Sequence, residues 1–285
     1  MNKELMQVNE LRKQWGENDA KRDAGILPAE VRTEFNIPYA GGGRLTDFFY
    51  PIEVSDIYPV IVNVHGGGWF YGSKQLYSLY AKHMAHEGFA VVSFNYRLAP
   101  ENRYPAAFED VCILMDYLRK NREEFRLDLS RIHIVGDSAG AQLASQYCIY
   151  AANPEYRKFF PQLADLSEPL MPRKAALNCG IYNVDPKLDK MIVNWYLGGE
   201  APESIMRVLD YMTADFPETF LTASVNDGLK PRTDIMREKL QTLGVKHIYK
   251  EYGQENSADG HVFHLNFRSE AGQRCNAEQL AFFRE

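Results

Sequence analysis

Gly136-Asp137-Ser138-Ala139-Gly140 follows directly on the apolar run 132–135 and leads into a helix-compatible stretch at 142–147. A serine in a G-x-S-x-G turn between strand and helix sits on so sharp a bend that side chains two residues away on either side would collide. Gly136 and Gly140 supply the room. The Ser138 hydroxyl then projects above the sheet at a helix N-terminus, where peptide dipoles favour developing negative charge. Such a hydroxyl attacks carbonyl carbon once a base takes its proton.

His65-Gly66-Gly67-Gly68-Trp69 ends a second apolar run, 60–64. Consecutive glycines leave N–H groups unobstructed and let the backbone approach a ligand closely. Donors of this kind stabilise the oxyanion of acyl transfer. The expected donors are the N–H groups of Gly66 and Gly67, together with that of Ala139 just after the serine. The other use of such glycines is a tight turn or a phosphate loop. A dinucleotide loop, however, needs G-x-G-x-x-G opening a helix, which this stretch lacks.

A nucleophilic serine requires a base and an orienting acid, in the chain order Ser, acid, His. Asp227 follows the apolar run 220–225 and is the expected acid; its other reading is an Asp-Gly turn residue. Asp234 falls inside a following helix. The polar loop 253–260 delivers His261 and then His264, and His261, first off the loop, is the expected base. His83 and His86 fall on a helix, His133 and His247 in strands, and His65 reads as a hydrogen-bonder beside the glycines. Asp259, His261 and His264 lack an accompanying ligand set at zinc spacing, so no metal is expected.

The elements that must position these residues alternate along the chain. Apolar, β-rich runs at 45–50, 60–64, 89–94, 132–135, 175–179, 220–225 and 247–251 are separated by helical stretches at 75–87, 105–121, 139–151, 233–242 and 271–283. That alternation predicts an α/β fold, a central mostly parallel sheet flanked by helices. Two stretches depart from it, about 1–40 and 184–211, and both read as helical excursions. Excursions beyond the carboxyl ends of the strands can form a small helical cap over a pocket; the plainer reading is solvated surface helices. A chain of 285 residues, 45% hydrophobic, is expected to form one domain over 1–285 with these cap elements.

Bulk properties exclude some partners. The net charge of -6 offers no phosphate-seeking surface, so no nucleic acid is expected. Cys112, Cys148, Cys179 and Cys275 form no C-x-x-C pair and read as reduced and structural. The first nineteen residues lack the apolar centre of a secretory signal, and no stretch approaches the length of a membrane span. The expectation is a cytoplasmic protein.

HGGGW at 65–69, YRLAPE at 96–101, YPAAFED at 104–110, GDSAG at 136–140, Asp-x-Leu at 227–229 and His-x-Phe at 261–263 together resemble the hormone-sensitive-lipase-like family of α/β-hydrolase esterases, over about residues 60–263. The resemblance implies the α/β-hydrolase fold with a helical cap built partly from the N-terminus, hydrolysis of carboxylic esters with short acyl chains, and no cofactor. It also implies a homodimer formed through the last strand and helix. It carries the nucleophile to Ser138, the acid to Asp227, the base to His261 and the oxyanion donors to Gly66, Gly67 and Ala139. The chain departs from the family pattern at Asn95, Gly228 and Val262, where Asp, Pro and Gly are usual. Trp69, Phe70, Tyr71, Trp195 and Tyr196 are candidates for the wall of the substrate pocket, with core packing as the alternative. Related hydrolases of amides, formamides or peptides share parts of the pattern, and a non-catalytic binding protein on the same fold is a third reading.

Overall fold

The computed structural model describes residues 3–285. In chain order its elements are α1 (Lys3–Asp23), β1 (Arg32–Ala40), β2 (Arg44–Tyr50), β3 (Tyr58–Val64), α2 (Ser78–His86), β4 (Ala90–Phe94), α3 (Ala106–Lys120), β5 (Leu127–Asp137), α4 (Ala139–Ala152), α5 (Pro154–Arg157), β6 (Lys174–Asn178), α6 (Lys190–Trp195), α7 (Glu203–Met206), β7 (Glu218–Ser224), α8 (Lys230–Thr242), β8 (His247–Tyr252) and α9 (Glu270–Arg284).

The strands form one sheet in the order β1-β2-β4-β3-β5-β6-β7-β8. The six from β4 to β8 run parallel, and β1 and β2 complete one edge antiparallel. Central parallel strands are covered on both faces and therefore read as continuous apolar runs. β4 is buried at all five positions. One core contains the inner faces of α3 and α4. The other contains residues of α2 and α9. This is the mostly parallel, helix-flanked sheet that the alternation predicts.

The first forty residues are only partly helical, which corrects the reading of 1–40 as a helical excursion: 32–40 is strand β1. It lies at the sheet edge, with a single buried position, and its pairing with β2 is broken by irregularities between Glu34 and Ile37 and between Pro38 and Ala40. Asn36 stands at φ 59° in the first of these. An exposed, bulged edge strand that contains proline has no apolar run to announce it.

α1 crosses back onto the body. Arg12 donates to the carbonyls of Phe70 (2.7 Å) and Ala99 (2.8 Å) and pairs with both oxygens of Glu101 at 2.7 Å. At its far end, Arg268 donates to the carbonyls of Arg22 and Ala24. The stretch 184–211 folds into the short helices α6 and α7 and a 3-10 turn at Val208–Tyr211.

Candidate active site

Val64, the last residue of β3, pairs with Gly136 on β5, so the glycine loop and the serine turn leave the sheet side by side. Ser138 has φ 52° and ψ −117°, a left-handed conformation that L-residues adopt only when the surroundings enforce it. A methyl group on Gly136 would overlap the carbonyl of Gly140, and one on Gly140 would overlap the carbonyls of Val64 and His65. The Ser138 N–H donates to the Asn178 carbonyl at 2.9 Å, tying the turn to β6.

His261 Nε2 lies 3.0 Å from Ser138 Oγ, and its Nδ1 lies 3.0 Å from Asp227 Oδ2. Asp227 follows β7, and its other oxygen accepts the Leu229 N–H at 2.8 Å. Burial acts to raise the Asp227 carboxyl, but the His261 hydrogen bond and charge, with the Leu229 N–H, hold it below its ordinary value. Asp227 therefore stays ionised against the imidazole. His261 rides on an exposed loop held by polar contacts. Asn226 Nδ2 donates to the Gln254 carbonyl (2.8 Å) and the Ser257 carbonyl (3.3 Å), while Ser224 and Ser269 hydroxyls donate to Asp259. Val262, where the family pattern has glycine, adopts φ 53°.

His264 is elsewhere. It is buried edge-on against Tyr80, and burial pushes its imidazole down to about 3. Asp234 lies within α8, paired with Lys230.

Around the glycines the expectation for Gly66 needs correction. Its N–H already donates to the Tyr77 hydroxyl at 2.9 Å, and that hydroxyl donates to Asp137 Oδ2 at 2.8 Å. Among the described residues, the N–H groups of Gly67, Gly68 and Ala139 have no hydrogen-bond partner. The available donor set is therefore Gly67, Gly68 and Ala139. Tyr77 lies eleven residues beyond Gly66 and carries no local signal of this contact.

A cavity of about 420 Å³ opens over Ser138 and His261. That lies within the range of small-molecule sites. Trp69, Phe70 and Tyr71 line it, as do Asp19 and Arg22 of α1 and Ile192 of α6. Trp195 and Tyr196 do not. Trp195 packs edge-on behind Phe70, and Tyr196 is fully buried, stacked on Trp69 at 4.7 Å. Both are a second layer that supports the wall. The Trp69 indole is fixed by a 3.2 Å hydrogen bond to Gln142. The α1 stretch was expected in the cap, but no local signal distinguishes Asp19 and Arg22 from its other polar residues.

All four cysteines are free and buried. Among the described residues, Cys179, Asp227 and His261 bring potential metal-binding atoms within 4.8 Å of one another. The imidazole and carboxylate are committed to each other, however, and burial raises the Cys179 thiol well above its ordinary value, which keeps it protonated. No helix among the described residues is long and apolar enough to cross a membrane.

The sequence profile of the alpha/beta hydrolase fold family matches residues 61–265, and the chain belongs to this family, in its hormone-sensitive-lipase-like branch. Among curated relatives, carboxylesterase NlhH of Mycobacterium tuberculosis is 37% identical over 125 residues, covering 42% of this chain and 38% of that one. Acanthamoeba polyphaga mimivirus protein R526, an alpha/beta hydrolase by name, is 27% identical over 203 residues, covering 67% of this chain and 58% of its own. The chain thus spans less than two thirds of the length of either. Esterase B of Lactobacillus rhamnosis has the same fold, with a TM-score of 0.87 at 21% identity over 99% of this chain and 96% of that one. An esterase of Pyrobaculum calidifontis gives a TM-score of 0.78 at 20% identity, over 97% of this chain and 92% of its own.

Proposed function

We propose that the protein is a carboxylesterase-type serine hydrolase that cleaves short-acyl esters through an acyl-enzyme intermediate. The observation that carries this reading is the unbroken hydrogen-bond path from Asp227 through His261 to Ser138, set beside a loop with open N–H donors. His261 takes the Ser138 proton, and the oxygen attacks the ester carbonyl. The N–H groups of Gly67, Gly68 and Ala139 receive the oxyanion, and Asp227 stabilises the imidazolium that forms. Collapse of the intermediate expels the alcohol, protonated by His261. Water, deprotonated by the same imidazole, then attacks the acyl-enzyme and releases the acid.

α1 and the 184–211 stretch act as the cap of one α/β-hydrolase domain. The short-acyl preference is supported by the cavity's volume of about 420 Å³ and by its aromatic lining at Trp69, Phe70 and Tyr71, with Tyr196 stacked behind Trp69.

The test is hydrolysis of p-nitrophenyl esters from acetate to long acyl chains by wild type, Ser138→Ala, His261→Ala and His264→Ala. Short-chain activity lost in Ser138→Ala and His261→Ala, and retained in folded His264→Ala, is the expected result. Wild-type turnover by folded Ser138→Ala would sink the assignment.

A further inference from the structure

We propose that Tyr77 and Asp137 are positioning residues that set the distance between the nucleophile and the oxyanion donors; this rests on the esterase reading above. Asp137 immediately precedes Ser138, and Gly66 immediately precedes Gly67. The Tyr77 hydroxyl joins the two, accepting from Gly66 N–H at 2.9 Å and donating to Asp137 Oδ2 at 2.8 Å. The serine turn and the glycine loop are thereby linked by a short side-chain strut as well as by the sheet.

The rest of the loop is held at other atoms. His65 stacks on Tyr96 at 4.0 Å, and the Tyr96 hydroxyl donates to the His65 carbonyl at 3.0 Å. Together with the Gly66 carbonyl, 2.8 Å from His65 Nδ1 and 3.4 Å from the Tyr96 hydroxyl, those contacts hold the loop through carbonyl and ring atoms. Among the described residues, the Tyr77 contact is the hydrogen bond that holds an N–H within the glycine run, and it sits one residue from the amide that must face the developing charge. Asp137 and Tyr77 are both buried, which limits competition from water, and both border the cavity. Preorganised donors cost no reorganisation when charge develops, and their value falls steeply with misplacement.

Tyr77→Phe keeps the ring and removes the strut. The expected result is a kcat for p-nitrophenyl acetate lower by about tenfold to a hundredfold, with KM within about twofold, because the donors act on the transition state. Affinity for a trifluoromethyl ketone, whose serine adduct carries the same oxyanion, falls by a similar factor. Asp137→Asn keeps an oxygen to accept the Tyr77 proton and retains most of the activity, whereas Asp137→Ala falls to the level of Tyr77→Phe. An unchanged kcat in folded Tyr77→Phe, or a loss confined to KM, overturns the proposal. If Tyr77→Phe does not fold, the contrast between Asp137→Asn and Asp137→Ala decides, and equal activities overturn it. Should wild type hydrolyse no ester at all, the function reading fails separately, and the strut is read from fluorophosphonate labelling of Ser138. Labelling slowed about tenfold in Tyr77→Phe upholds the proposal, and equal labelling overturns it.

Discussion

Two sides of the site are built by different physics. The serine turn and the glycine loop owe much of their shape to exclusion: at Gly136, Gly140 and Gly67 the chain approaches so closely that a side chain would overlap backbone. The His261 loop owes its shape to attachment, through Asn226, Ser224 and Ser269 reaching its backbone and side chains. Exclusion is all-or-none, whereas attachment weakens one bond at a time. Substitutions of the glycines on the first side should therefore remove function outright, and those on the second should grade it.

The largest expected effect tests the first half of that contrast. Gly140→Ala drives a methyl into the carbonyls of Val64 and His65. A loss of roughly 3 kcal/mol or more in denaturant unfolding, with nearly all turnover gone, is expected for such overpacking against backbone. Near-native stability would show that the turn can relax.

Acid probes both sides together. Burial lowers His65, in the glycine loop, to about 4 and His264, beyond the catalytic loop, to about 3, against an ordinary 6.5. The unfolded chain binds these protons first as pH falls. The stability each contributes is complete above pH 6.5 and drains away down to its folded value, about 2 kcal/mol per histidine by pH 5. Asp137, raised by burial to about 6, has the opposite sign: its penalty is full above pH 6 and fades as pH drops toward 3.8. Melting temperature followed from pH 7 to 4 should fall, and Asp137→Asn should melt higher than wild type at pH 7. A flat profile would contradict the burial of these imidazoles.

On the attached side, Asn226→Ala removes the bonds to the Gln254 and Ser257 carbonyls. We expect kcat to fall about tenfold while the melting temperature moves little, since the loss is one of aim at an exposed loop. A collapse of the fold would erase the distinction between the two sides.

The smallest effect belongs to Val262, a β-branched residue at φ 53°. Glycine relieves left-handed strain but loosens the unfolded chain, so Val262→Gly should change stability by under ~1 kcal/mol, measured by urea unfolding.

The same contrast explains what the sequence disclosed. Gly136, Gly140 and the run Gly66-Gly67-Gly68 were readable because backbone exclusion demands one residue type at a fixed spacing. Asp227 and His261 were readable from chain order after apolar strands. β1 was hidden because an exposed, bulged edge strand needs no apolar run. The engagement of the Gly66 N–H by Tyr77 was hidden for another reason, since it joins residues brought together only by the fold. Aromatic character likewise did not separate Trp69, which faces the cavity, from Tyr196, which stacks behind it.

α1 has a consequence for the order of events during synthesis. Its side chain Arg12 bonds to residues 58 to 89 positions downstream, and its Ala24 carbonyl waits for Arg268, 244 positions away. The Arg268 contact spans most of the chain and cannot form until most of the chain has emerged. One wall of the cavity is thus translated before the sheet it rests on, and its last tie, to Arg268, closes only after the segment carrying His261 has left the ribosome.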